Sequence, residues 1–166
     1  DIYFIGNIIH DTVEHAFVTW SSRNVSFIGN TMYNVSNGIA SEGGAVYTAT
    51  ITNNIFGSLN NPSGSHILLE YSDYADNAIV NNNIFQDTMN SNVPCVDCIE
   101  ADPLFVDADN LDFSLQLNSP AIGNGTLDSA YQKFYDLYGL NISVDYNGVE
   151  RPQGSGWDIG AIEYAS

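Results

Sequence analysis

Apolar and polar residues alternate along the first half of the chain, break at a Gly-Asn or Asn-Asn pair, then resume as an apolar couple. Residues 2–9 (Ile-Tyr-Phe-Ile-Gly-Asn-Ile-Ile) are echoed by residues 25–32, 49–56 and 78–85. A period of two on either side of a fixed break predicts short strands meeting at a sharp corner. Aligned on Asn7, Asn30, Asn54 and Asn83, the copies are 23, 24 and 29 residues apart. A repeat in the low twenties, with nothing at helical period between copies, predicts a parallel β-solenoid and argues against a leucine-rich or ankyrin array. The longest step places an inserted loop at residues 58–64, which carry Asn, Pro, Ser and Gly.

Stacked repeats bring the four asparagines into one column. Asn tolerates a left-handed corner, and its amide can bond the next amide along the axis, so a ladder is expected. A weaker echo follows each corner, at residues 14–17, 36–39 and 65–68. It predicts a further strand in each repeat.

Past Phe85 the repeat fades. Cys95 and Cys98 have two residues between them and lack the further ligands that a zinc site needs, so they read as a local disulfide or as packed thiols. Residues 107–112 read either as an oxygen-rich calcium loop or as an ordinary turn before a strand at Phe113. Leu127, Tyr131, Phe134 and Tyr138 recur at helical spacing, with Asp128 fit to cap the start and Gly139 to stop the helix. This helix is expected to cover the open end of the solenoid, with its aromatic stripe as core.

The composition narrows the partners. Three Lys+Arg stand against 20 Asp+Glu, a net charge of −17, which repels nucleic acid and anionic membranes and leaves neutral sugars and divalent cations. No apolar run is long enough for membrane insertion. Low total charge with abundant Asn, Ser, Thr, Gly and Tyr matches an extracellular β-protein. The chain opens inside a repeat and is expected to be a fragment or C-terminal module of a larger protein, with upstream rungs or a catalytic module before it.

Asp102-Pro103-Leu104-Phe105, Ser119-Pro120-Ala121-Ile122, Arg151-Pro152 and Asp158-Ile159-Gly160-Ala161-Ile162-Glu163 resemble the C-terminal closure of secreted bacterial right-handed parallel β-helix proteins of pectate-lyase-like fold. The resemblance covers residues 102–163 and implies architecture. It leaves activity open, because lyases, glycosidases, carbohydrate-binding modules and adhesins share this closure. The expected fold is all-β: a right-handed single-stranded parallel β-helix in one domain, with repeats at 1–99 and a closure containing a short helix at 100–166.

Counting from the asparagines puts Thr19 and Glu42 in one column and, after four inserted residues, Glu70 beside them. Trp20, Tyr71, Tyr74 and His66 flank this column. Aromatic rings beside carboxylates suit a glycan-binding surface of Trp20, Glu42, His66, Glu70, Tyr71 and Tyr74. Glu42 and Glu70 also suit the carboxylate pair of a glycoside hydrolase, and a plain solvated acidic face is the third reading. A uronate lyase is disfavoured, since Arg23 is the sole basic residue among the repeats. Hard oxygen ligands for a structural Ca²⁺ are sought at Asp73 and Asp76 and at Asp107, Asp109 and Asp112. No cofactor is otherwise required. The resulting expectation is an extracellular, non-catalytic module that binds neutral polysaccharide, with a β-helix glycoside hydrolase or a structural stalk or adhesin segment as alternatives.

Overall fold

The computed structural model describes residues 1–20, 22–43, 48–69 and 77–165. It is mostly β, built from parallel sheets with one α-helix. The first three repeats each contribute one strand to each of three sheets in rotation, and the fourth contributes to the first two. The first sheet joins β1 (Ile2–Ile5), β4 (Val25–Ile28), β7 (Ala49–Thr52) and β10 (Ile79–Asn81), in that order. The second joins β2 (Ile8–His10), β5 (Thr31–Tyr33), β8 (Ile55–Phe56), β11 (Ile84–Phe85) and β12 (Ile99–Glu100). The third joins β3 (His15–Trp20), β6 (Asn37–Glu42) and β9 (Ile67–Leu69). Every pairing within these sheets is parallel.

Alternation within the strands builds one core from all three sheets. Val25, Phe27, Ile51 and Val80 of the first sheet meet Met32, Phe56 and Phe85 of the second and Ile39, Ile67 and Leu69 of the third. The rings stack in register with the strands: Phe56 lies on Phe85 at 4.9 Å between centroids, and Phe4 on Phe27 at 5.2 Å. Each such buried phenylalanine is worth about 1.5–3 kcal/mol over its exposed state.

The expected asparagine ladder is present. Asn7 donates from Nδ2 to Asn30 Oδ1 at 2.9 Å, Asn30 to Asn54 at 2.9 Å, and Asn54 to Asn83 at 3.0 Å. The backbone N–H of Asn7, Asn30 and Asn54 donates to the same oxygens at 3.0, 3.0 and 2.8 Å. The left-handed backbone belongs instead to the preceding residue: Gly6, Gly29, Asn53, Asn82 and Asp97 have φ between 49° and 66°. The corner therefore divides its labour, one residue supplying the turn and the next its hydrogen bonds. Cys95 and Cys98 form a disulfide. Asn83 N–H donates to Cys98 Sγ at 3.3 Å, so the ladder ends on this bridge.

The chain after residue 100 packs along the outside of two sheets. Alternation turns Ile8, Ile55, Ile84 and Ile99 of the second sheet outward, and Phe105, Phe113, Leu115, Ala121 and Ile159 cover them. β13 (Phe105–Asp107) and β14 (Asp112–Leu115) form an antiparallel hairpin, with a 3-10 turn at Ala108–Asn110 between them. Helix α1 (Ser129–Tyr138) has the expected ends: Asp128 accepts from Ala130 N–H at 2.8 Å, and Gly139 is left-handed at φ 66°. Its expected position is corrected. It lies on the outer flank of the first sheet against Tyr3, Ile5 and Ile28, rather than over an open end. The cause is again alternation, which faces Ile5 and Ile28 outward and leaves them in need of cover. Only part of its aromatic stripe is core, since Tyr131 is buried whereas Leu127 and Tyr138 are exposed.

The closure motifs resolve into named bonds. Ser119 Oγ donates to the Pro103 carbonyl at 2.6 Å and accepts from Ala121 N–H at 3.1 Å. Arg151 donates from Nη1 to the Asp158 carbonyl at 3.1 Å and from Nη2 to the Gly160 carbonyl at 2.7 Å. Its guanidinium also lies 3.1 Å from Glu163 Oε2, with both side chains buried. Burial pushes the Asp158 and Glu163 carboxyls above their usual range, outweighing Arg151 and the backbone donors that favour their charged forms.

Candidate functional site

The third sheet positions the residues that the asparagine count singled out, with one correction. Thr19 pairs with Ser41, and Trp20 pairs with Glu42. The count placed Thr19 beside Glu42 and was off by one residue. The corner provides the cause: four residues separate β2 from β3, whereas three separate β5 from β6. The spacing of 23 between asparagines thus becomes 22 between Trp20 and Glu42. The four-residue insertion holds, since Ser41 pairs with Leu69, a step of 28 against 24 at the asparagines. The shift turns Thr19 into the core, where it is 7 % exposed, and brings the indole of Trp20 next to the carboxylate strand position.

Trp20 is 66 % exposed, an unusual state for so large an apolar ring. What holds it is Gly43, which has φ +63°. A Cβ on Gly43 would collide with Cε2, Cζ2 and Cη2 of the indole together, so the six-membered part of the ring lies against bare backbone. Glycine is required there twice, for the left-handed turn and for the ring above it. Glu42 is restrained from the other side: its Oε1 lies 2.8 Å from His15 Nε2. The site thus presents a fixed aromatic surface beside a positioned carboxylate, with Val18 and Leu68 exposed on the same sheet.

His66 does not belong to this surface. It is 1 % exposed, its ring packs edge-on to Phe56 and Phe85, and its Nδ1 accepts from Asn90 N–H at 3.0 Å. Burial lowers its pKa, with Asp87 and Glu100 opposing. The neutral ring is a core element, and this glycan-contact expectation is corrected. The strand bends where β6 begins: Gly38 pairs beside His66, and a Cβ there would strike the His66 carbonyl and the Phe56 ring. Glu70, Tyr71, Asp73, Tyr74 and Asp76 lie outside the described residues.

Asp107, Asp109 and Asp112 are dispersed around their turn. Asp107 accepts from Asn110 Nδ2 at 2.8 Å and Asp112 from Ser114 N–H at 3.0 Å, while Asp109 faces Tyr33. Among the described residues no group of three or more His, Cys, Asp or Glu side chains is arranged to hold a metal ion.

Sequence reasoning missed two features. The His15–Glu42 contact joins strand positions five residues apart in register, which no pattern announces. A groove on the outer face of the first sheet needs the wall made by residues 126–130, whose position depends on the helix packing described above. Its floor was legible in principle, as the polar half of the alternation at Ser26, Thr50 and Asn81.

No family model matches the chain, and neither a curated protein nor a solved structure does so.

Proposed function

We propose that this chain is an extracellular glycan-binding module, folded as a right-handed single-stranded parallel β-helix, that takes neutral polysaccharide on the outer face of its third sheet. The observation that carries this reading is Trp20, held two-thirds exposed on the backbone of Gly43 beside Glu42. An indole fixed in this way offers an apolar plane to a pyranose ring at little entropic cost, and the adjacent carboxylate accepts its hydroxyls. The β-helix assignment draws support from the rotation of strands among three parallel sheets through the first three repeats and from the ladder at their corners. The closure motifs add the resemblance to secreted bacterial β-helix proteins. The net charge of −17 favours neutral over acidic glycans.

The experiment is binding to a broad panel of immobilised neutral glycans, repeated with Trp20→Ala. Binding that disappears in the variant while its circular dichroism is retained supports the module. Hydrolysis of any panel member, abolished by Glu42→Gln, would replace it with the glycoside hydrolase. Neither binding nor turnover would leave the structural stalk.

A further inference from the structure

We infer that the outer groove of the first sheet is a second, separate binding site for a neutral oligosaccharide, lying along the stacking direction of the strands. The ligand class rests on the glycan reading, but the site and its residues do not depend on Trp20.

The groove has a volume of about 430 Å³, within the usual range for small-ligand sites. Its floor is one register column, Tyr3–Ser26–Thr50–Ile79, crossing four parallel strands. Three strand intervals give it a length of about 14 Å, at roughly 4.8 Å each. Residues 126–130 wall one side. At the first-repeat end Tyr3 OH, Asp1 and the Lys133 ammonium bond one another and close the groove.

The polar groups on this face fall into two sets. Those at the margin are paired: Asn24 Nδ2 donates to Asp1 at 2.8 Å, Thr52 Oγ1 to Asp128 at 3.2 Å, and Asn53 Nδ2 to the Thr126 carbonyl at 2.6 Å. The half-buried side chains of Ser26 and Thr50, on this column, and of Asn81, on the neighbouring column beside Thr52, make no side-chain hydrogen bond among the described residues, and Asn81 Oδ1 is sealed from solvent. Half-buried polar groups without protein partners take them from whatever occupies the groove. Both carboxylates are already bonded, so the groove holds no uncompensated charge that calls for a cation, and the chain's net charge repels anions. Ile79 and Leu127, 59 % and 61 % exposed, add apolar edges at the open end and the wall. Hydroxyl donors and acceptors between apolar edges, repeated at the strand spacing, fit a linear chain of uncharged pyranoses.

The test is amide-shift mapping by NMR with linear neutral tetrasaccharides of gluco, manno and xylo configuration, on the wild type, Trp20→Ala and the double variant Ser26→Ala/Thr50→Val. The inference predicts shifts at Ser26, Thr50 and Asn81 that persist in Trp20→Ala, and about tenfold or weaker binding there in the double variant. Asn81→Ala is the second variant, in case the double variant fails to fold, and is expected to weaken the same event. Shifts confined to Trp20, Glu42 and their neighbours would overturn the groove and leave the third-sheet reading standing. Shifts at the groove alone would overturn the third-sheet reading. No shift with any tetrasaccharide would overturn both.

Discussion

Replacing Asn54 by alanine tests the structural basis of the stack in a single site. Asn54 is fully buried and lies in the middle of the ladder. Its Oδ1 accepts from both Asn30 N–H and Asn30 Nδ2, and its Nδ2 donates to Asn83 Oδ1 and to the Phe27 and Thr52 carbonyls. Truncation leaves Asn30 N–H, itself fully buried, without its acceptor, and removes a donor from Asn83 and Phe27. One orphaned buried group costs about 1–3 kcal/mol, and the further lost bonds add roughly 1 kcal/mol, giving a total of about 3 kcal/mol. For a chain of this size that lowers Tm by about 6–12 °C. Asn7→Ala is the internal control: Asn7 is exposed, and Asn30 Oδ1 keeps the backbone N–H of residue 7, so the loss is about 1 kcal/mol or less. Urea titration followed by circular dichroism reads both. Equal losses for the two variants, or a larger one for Asn7→Ala, would refute the ladder as a source of stability.

Two further predictions concern the closure and pH. Glu163→Ala removes the acceptor of Gln153 N–H and leaves a void beside the Arg151 guanidinium, and the expected cost is about 1–3 kcal/mol, read as a fall in the urea midpoint; no change would mean that the burial of the Glu163 carboxyl cancels what its contacts contribute. The raised pKa values of Asp158 and Glu163 have a definite sign: the folded state binds protons more readily than the unfolded one between the ordinary carboxylate range and the raised values, so stability rises as pH falls through that window. Relief of repulsion within a chain of net charge −17 acts in the same direction. His66, whose pKa burial lowers, acts the other way below the ordinary histidine range, so the reading is taken as a difference: from pH 7 downward the wild type should gain Tm relative to Glu163→Gln, and parallel profiles would contradict the raised Glu163 carboxyl.

Much of the backbone plan was readable because it is local and repetitive. The break after each alternating stretch marks a corner, and the ladder follows from asparagine recurring at one place. Helix α1 showed its ends through Asp128 and Gly139, since capping is a matter of adjacent residues. Its location was not readable, because the apolar patch that it covers, Ile5 and Ile28, lies more than a hundred residues away in sequence. The face with Trp20 and Glu42 was nearly readable. One residue missing from the loop before β6 moved Thr19 inward and placed Trp20 beside Glu42, a slip that strand periodicity makes all-or-none. His66 misled because a lone histidine in a polar stretch reads as surface, whereas the strand bend opposite Gly38 carries it into the phenylalanine stack.

The most direct test of the glycan reading is tryptophan fluorescence during titration with neutral oligosaccharides. The chain has two tryptophans, of which Trp20 is exposed and Trp157 packs against Tyr131 at 4.7 Å, so a ligand on the third sheet reports through Trp20. The account predicts a saturable blue shift that is lost in Trp20→Ala. It also predicts loss in Gly43→Ala, where the added Cβ displaces the ring, with a fall in stability of about 1 kcal/mol or more from the left-handed backbone. An unchanged spectrum across the neutral panel, or a shift that survives both substitutions, would contradict it.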